Sequence, residues 1–100
     1  MLRLEFHPAI FDELNEAYRW YEDKQKGLGD DFLHALEDAY LMIQTMPRAW
    51  PLAEYGMIKF LMKRFPYSII YAIREERIFV VAVMHQSRKP GYWQDRLNRP

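Results

Sequence analysis

The residues best suited to proton-transfer chemistry are a histidine and an arginine near the end of the chain, His85 and Arg88. An imidazole titrates close to neutral pH, so His85 could both accept and donate a proton. Arg88, three residues later, could hold a phosphate group. The alternative is structural, because a histidine that ends a strand could simply hydrogen-bond the turn formed by Ser87 and Pro90. The pair therefore indicates either acid–base chemistry beside a phosphate or an ordinary turn.

Aromatic side chains offer a second kind of contact. Tyr67 and Tyr71 share one face of a predicted strand and could stack on bases, although we interpret them as core residues or as contacts to a protein partner. Tyr92 and Trp93 lie in a polar tail, which is unusual for core residues. They could stack on a nucleotide, insert into a protein target, or fold back over the sheet.

Basic side chains form a third group, in the second half of the chain. Lys59 and Lys63 are predicted on one face of a strand and Arg64 on the other, and a lysine pair of this kind could bind a partner or protect a sheet edge. No glycine-rich phosphate loop, Cys/His cluster or Ser-His-Asp pattern occurs, so we predict neither a cofactor nor a metal.

Net charge is zero, but its distribution is uneven. The first fifty residues hold five Lys/Arg and ten Asp/Glu, and the last fifty hold nine and four. The basic half would attract an acidic or phosphate-rich partner, unless the helices simply collect glutamate. The absence of cysteine, of a signal peptide and of a long apolar run favours a cytoplasmic protein without a membrane segment. We expect one domain, residues 1–100.

Hydrophobic periodicity predicts the order of the elements. Residues 2–6 alternate as in a short strand, a helix follows from Pro8, and a second helix begins near Asp30, with Asp30 or Asp31 as its cap, and stops at Met46-Pro47. Three strands follow over 57–64, 67–74 and 77–85, and the tail over 90–100 is predicted as a turn with a short helix.

The predicted fold is therefore α+β, with the order β-α-α-β-β-β and a helix hairpin packed on an antiparallel sheet. The last two strands are apolar at nearly every position, so both faces of the sheet should be partly buried. Because the helices can cover only one face, the other needs the C-terminal tail or a second protein.

Three segments, in this order and spacing, resemble the RelE/ParE family of bacterial toxins, especially its ParE-like plasmid-stabilisation branch. The segments are Phe65–Tyr71 (FPYSIIY), Val81–Pro90 (VAVMHQSRKP) and Gly91–Arg96 (GYWQDR). Upstream, the helix hairpin carries the family's Gly-Leu-Gly at 27–29. The resemblance implies a toxin of a type II toxin–antitoxin pair, held inactive by a cognate antitoxin in a hetero-oligomer. It implies either poisoning of DNA gyrase, as in the ParE type, or cleavage of mRNA on the ribosome without a metal, as in the RelE type.

The resemblance also carries functional positions onto this chain, with departures. Tyr92 matches the functional C-terminal tyrosine of RelE-type nucleases and Lys59 one of their strand lysines, whereas Lys63 keeps a positive charge at another basic site. Ser68 and Gln86 stand where those nucleases have arginines. Leu61 replaces a lysine there, and Ile58 an arginine of the ParE pattern.

Losing two guanidinium groups weakens a phosphate clamp, so the sequence favours a toxin that binds a target such as gyrase. The alternatives are a RelE-type nuclease or an inactive member that only binds antitoxin. The candidate catalytic residues are His85, Arg88, Tyr92 and Lys59. The candidate contacts to target or antitoxin are Lys63, Arg64, Tyr67, Tyr71, Trp93 and Arg96.

Overall fold

A computed structural model describes residues 1–98. Its elements are β1 (Arg3–Phe6), α1 (Ile10–Lys24), α2 (Leu28–Thr45), β2 (Ile58–Leu61), β3 (Tyr67–Arg74) and β4 (Arg77–His85), with two short 3-10 turns at Glu54–Gly56 and Gln94–Asn98. The α+β class and the predicted order of elements are confirmed. The last two residues of the predicted tail, 99–100, lie outside the described residues. No helix within residues 1–98 is long and apolar enough to cross a membrane.

The four strands form one sheet in the order β1-β4-β3-β2. Strands β2, β3 and β4 are antiparallel as predicted, because short turns join them. β1 instead runs parallel to β4, with Phe6 opposite Val80, so the sheet is mixed and not antiparallel throughout. The long connection through the helix hairpin allows this parallel pairing, and hydrophobic periodicity carries no information about strand direction.

Several element boundaries differ from the prediction by one to three residues, and two of these differences affect residues singled out above. β2 ends at Leu61 instead of residue 64, which leaves Lys63 and Arg64 in the turn before β3. α2 begins at Leu28, before the predicted caps Asp30 and Asp31.

The cap of α2 is a side chain of the neighbouring helix. The carboxylate of Glu22, near the end of α1, accepts the backbone N–H groups of Gly27 and Gly29, each at 3.0 Å. A carboxylate at this position satisfies free N–H groups of the first turn and complements the helix dipole.

Both faces of the sheet are buried, as predicted. The helix hairpin covers one face, where Ile10, Phe32 and Ile43 pack on alternate residues of β3 and β4. The tail folds back over the other face, where Trp93 is fully buried against Ile70, Val81 and Met84. Of the two predicted covers for this face, the tail is the one that the structure shows.

The two helices approach each other closely at Gly29. A Cβ atom built at this position would lie 2.8 Å from the carbonyl oxygen of Tyr18 and 2.9 Å from its ring. A backbone oxygen cannot rotate away as a flexible side chain can, so any side chain here pushes α1 and α2 apart.

We therefore expect Gly29→Ala to lower the free energy of unfolding by about 1–3 kcal/mol, the usual range for overpacking. In an open helix the same change would raise it by about 1 kcal/mol. Urea unfolding measures the sign, with Asn15→Ala on the exposed face of α1 as the control. A stabilised Gly29→Ala variant would show that the close approach is not a constraint.

Candidate functional site

The region that gathers most of the predicted functional residues is the open end of β4. β1 pairs with β4 only as far as Val80, whose carbonyl accepts the N–H of His7 at 2.9 Å. Beyond that point β4 has no neighbouring strand on this side, and α1 runs alongside it. Side chains take the place of a strand here: Glu13 accepts the N–H of Val83 at 3.1 Å, and Arg96 donates to the carbonyl of Val81 at 2.9 Å.

Glu13 connects α1, β4 and the tail. Its two carboxylate oxygens accept two hydrogen bonds from the Arg96 guanidinium, at 3.1 and 3.0 Å, and its Oε2 also accepts the hydroxyl of Tyr92. The side chains of Glu13 and Arg96 are only 12% and 16% exposed. A two-pronged ion pair this well shielded is far stronger than an exposed one.

Tyr92 belongs to this network. Two guanidinium groups lie near its ring, Arg88 at 4.0 Å and Arg96 at 5.2 Å from the ring centroid. Burial, the hydrogen bond to Glu13 and the charge of Glu13 all raise the pKa of Tyr92 above its usual value. The phenol thus keeps its proton at neutral pH and donates a hydrogen bond to Glu13, so Tyr92 is poorly suited to act as a base.

His85 ends β4 in the way that the structural alternative described. Its Nδ1 accepts the N–H of Ser87 at 3.0 Å and lies 2.7 Å from the Ser87 hydroxyl. The N–H contact needs a lone pair on Nδ1, so the proton of the neutral ring is on Nε2. The ring packs edge-on against Tyr67 at 5.2 Å.

A groove of about 620 Å³ lies between α1 and this end of β4. One wall carries the carboxylates Glu13 and Glu16 and the half-exposed ring of Trp20, and the other carries His85 and Arg88. The remaining lining residues are Ala17, Tyr21, Pro66, Tyr67, Val83, Met84 and Ser87. With opposite charges on its two walls and an apolar floor, the groove suits a peptide better than a phosphate backbone.

Lys59 lies apart from the other candidate catalytic residues. Lys59 pairs with Ile70 of β3, and Ile70 in turn pairs with Ala82 of β4. Lys59 therefore lies two strand spacings, about 10 Å, from β4. Its neighbour in sequence, Phe60, packs in the helix-side core, so the lysine side chain points to the tail side of the sheet. His85 faces the groove on the helix side, and the four residues therefore do not form one constellation.

The candidate contact residues divide by burial. Tyr71 and Trp93 are fully buried, so neither offers a contact surface in this conformation. The hydroxyl of Tyr71 donates to the carbonyl of Pro47 at 2.6 Å, and burial raises the pKa of Tyr71 to about 12. Arg96 is committed to Glu13. These three side chains make internal contacts in this structure, as the core alternative for Tyr71 and the fold-back alternative for Trp93 described, and their assignment as contacts to a target or antitoxin stays a prediction.

The other three contact residues are accessible. Tyr67 is partly buried in the groove floor, where burial raises its pKa to about 12. Lys63 and Arg64 are exposed and line a second groove of about 380 Å³ between α2 and the β2 edge, where Arg64 pairs with Asp31 at 3.1 Å. These residues remain candidates for contact with a partner.

Sequence reasoning missed Glu13 and Trp20. The sequence does not single out Glu13, because its own helix gives no sign of partners that lie 70 to 83 residues away. Within residues 1–98, no group of three His, Cys, Asp or Glu side chains is placed to hold a metal ion.

Comparison with protein families gives one match, to the ParE toxin of the type II toxin–antitoxin system parDE, over residues 4–90. The match covers most of the chain, including the groove and its His-x-x-Arg turn. The chain belongs to the ParE toxin family. The ParE branch of the resemblance is thereby confirmed, and with it membership of a type II toxin–antitoxin toxin family.

A solved structure supports the fold of this family member independently. The chromosomal ParDE toxin–antitoxin system from P. aeruginosa is similar with a TM-score of 0.64, over 85% of this chain and 96% of that one. At 15% identity the likeness concerns the fold alone. No curated protein matches the chain.

His7 provides a test of the environment around Glu13. Burial, and then the charge of Arg96, lower the pKa of His7, although Glu13 opposes them. The unfolded chain therefore binds this proton more readily than the folded protein does. The neutral form of His7 is therefore favoured in the folded protein. Its contribution to the free energy of unfolding is complete above the ordinary histidine pKa of 6.5 and is lost as the pH falls below that value.

We expect the urea midpoint to fall more steeply between about pH 7.5 and about pH 5.5 in the natural protein than in a His7→Asn variant. Asparagine can still accept the N–H of Ala9, which His7 Nδ1 accepts at 3.1 Å, but it does not titrate. Equal slopes in the two proteins would contradict the lowered pKa.

Proposed function

We propose that this ParE-family chain is a toxin that acts by binding a cellular protein target such as DNA gyrase, without catalysing a reaction, and that a cognate antitoxin neutralises it in a cytoplasmic hetero-oligomer. The observation that carries the proposal is the separation of the candidate catalytic residues. Metal-free RNA cleavage needs a base, an acid and cations around one phosphate. Here Lys59 lies on the opposite face of the sheet from His85.

The state of Tyr92 supports the same conclusion. A general acid or base has to reach the substrate, and the Tyr92 hydroxyl is bound to a shielded carboxylate in the interior of the network. At the two positions where the related nucleases carry arginine, Ser68 is fully buried and Gln86 donates to the carbonyl of Tyr67 at 3.3 Å. Neither supplies a charge to a substrate.

One observation favours a second candidate, a nuclease. His85, Arg88 and Tyr67 all line the groove, so an imidazole and a guanidinium do share one surface. In the nuclease model Nε2 of His85 would have to accept a proton, but in this tautomer it already carries one, so a separate base would be required. The described groove offers only Glu13 and Glu16 for that task, and Glu13 is already bound to Arg96.

Expression of the chain alone in a bacterium separates the two candidates. We expect growth arrest with a DNA-damage response and intact mRNA, and relief when the antitoxin is co-expressed. Purified protein should inhibit gyrase supercoiling in vitro. Codon-linked cuts in mRNA with undamaged DNA would refute the binding model, and a chain that never slows growth would indicate an inactive member.

Lys59 gives a sharper comparison. Under the binding model, Lys59→Met leaves growth arrest unchanged, because the lysine lies away from the groove. Arg88→Glu should weaken target inhibition by about tenfold, the effect of reversing one charge at an interface rim. Arg48→Glu, at an exposed arginine that lines neither described groove, is the matched charge reversal and should leave inhibition unchanged. Loss of toxicity by about a hundredfold in Lys59→Met would instead indicate catalysis.

A further inference from the structure

The tail covers the second face of the sheet without joining the sheet. Trp93 is fully buried against Ile70, Val81 and Met84. The described backbone hydrogen bonds of the tail are nevertheless local: Tyr92 donates to Lys89, Gln94 to Gly91 and Arg96 to Trp93. Removing the tail therefore breaks no hydrogen bonds of the strand ladder. Side chains alone hold this segment in place.

The polar side-chain contacts of the tail converge on one carboxylate. Tyr92 and Arg96 both donate to Glu13, and Arg96 also reaches the carbonyl of Val81. The other polar contact, from the Tyr55 hydroxyl to Gln94 at 2.7 Å, is exposed and competes with water. Without the charge of Glu13, Arg96 would be left largely buried without a counter-charge, which is strongly unfavourable.

The connection to β4 allows the tail to move as a unit. Lys89 and Pro90 are exposed, and Gly91 has a φ of 81°, in the left-handed region that glycine enters freely. The backbone hydrogen bonds at this junction are turn bonds: Arg88 donates its N–H to the carbonyl of His85 at 2.9 Å, and Tyr92 makes a long, weak contact across Gly91 to the carbonyl of Lys89 at 3.4 Å. The segment from Gly91 onward is thus bounded by a hinge at one side.

We infer that residues 91–98 form a latch over the second apolar face of the sheet, that the latch opens as a unit, and that the carboxylate of Glu13 is what keeps it closed. Opening removes Trp93 from its site and exposes the apolar side chains beneath it. Because Glu13 also lines the groove, a cationic group bound there would compete with Arg96 for the same carboxylate. The latch itself does not depend on the proposed target, since it concerns the isolated chain.

Amide hydrogen exchange of the full-length chain tests the latch. Glu13→Gln keeps the size of the side chain and removes its charge. We expect exchange at residues 91–98, and at the Val83 amide, to quicken at least tenfold while exchange in α2 and β3 stays the same. Glu16→Gln, a groove carboxylate that makes no described bond to the tail, should leave the tail unchanged.

Arg96→Gln removes the other half of the ion pair and should reproduce the Glu13→Gln result if that variant folds poorly. Unchanged exchange at 91–98 in both variants would show that the ion pair does not hold the tail. A uniform increase over the whole chain would also overturn the inference, because tail and core would then open together. Either result leaves the toxin proposal standing, since neither measures toxicity.

Discussion

The structure depends on the carboxylate of Glu13 more than on any other polar group. Glu13 lies on α1, and the unpaired end of β4 and the tail both place donors on its carboxylate. A shielded carboxylate would be costly if it were left without partners, and this one has at least four donors around two oxygens. One glutamate thereby fixes the position of the first helix against the sheet and of the last residues against both.

This arrangement follows from the way the sheet is built. β1 is only four residues long, so the second half of β4 has a free edge next to a helix. Free edges invite pairing with other chains, and proteins usually cover or block them. Here the side chain of Glu13 binds the N–H of Val83, and the side chain of Arg96 binds the carbonyl of Val81. These two backbone groups of the edge are therefore satisfied, while the groove beside the edge stays open.

The parts of the fold that could be predicted are those in which neighbouring residues carry the signal. β3 and β4 were predicted with their observed bounds, because their continuous apolar runs are bounded by turn residues. The need for a cover on the second face followed from the same runs. Distant partners could not be predicted: the parallel pairing of β1, the cap that Glu22 gives to α2, and the bonds of Glu13 each join residues whose proximity only the finished fold creates.

The candidate site illustrates the same limit in its chemistry. The segment Gly91–Arg96 helped to identify the family, yet its tyrosine and arginine are bound to Glu13 and its tryptophan fills the space above the sheet. Residue types that suit catalysis can also hold a C-terminal segment against a sheet, because both tasks need buried polar groups with directional hydrogen bonds. What distinguishes them is whether a polar atom is free to meet a substrate. The groove residues with polar atoms that make no described hydrogen bond include Glu16, Arg88, Trp20 and the Nε2 side of His85. Such a set is better suited to recognising a charged protein segment than to breaking a bond.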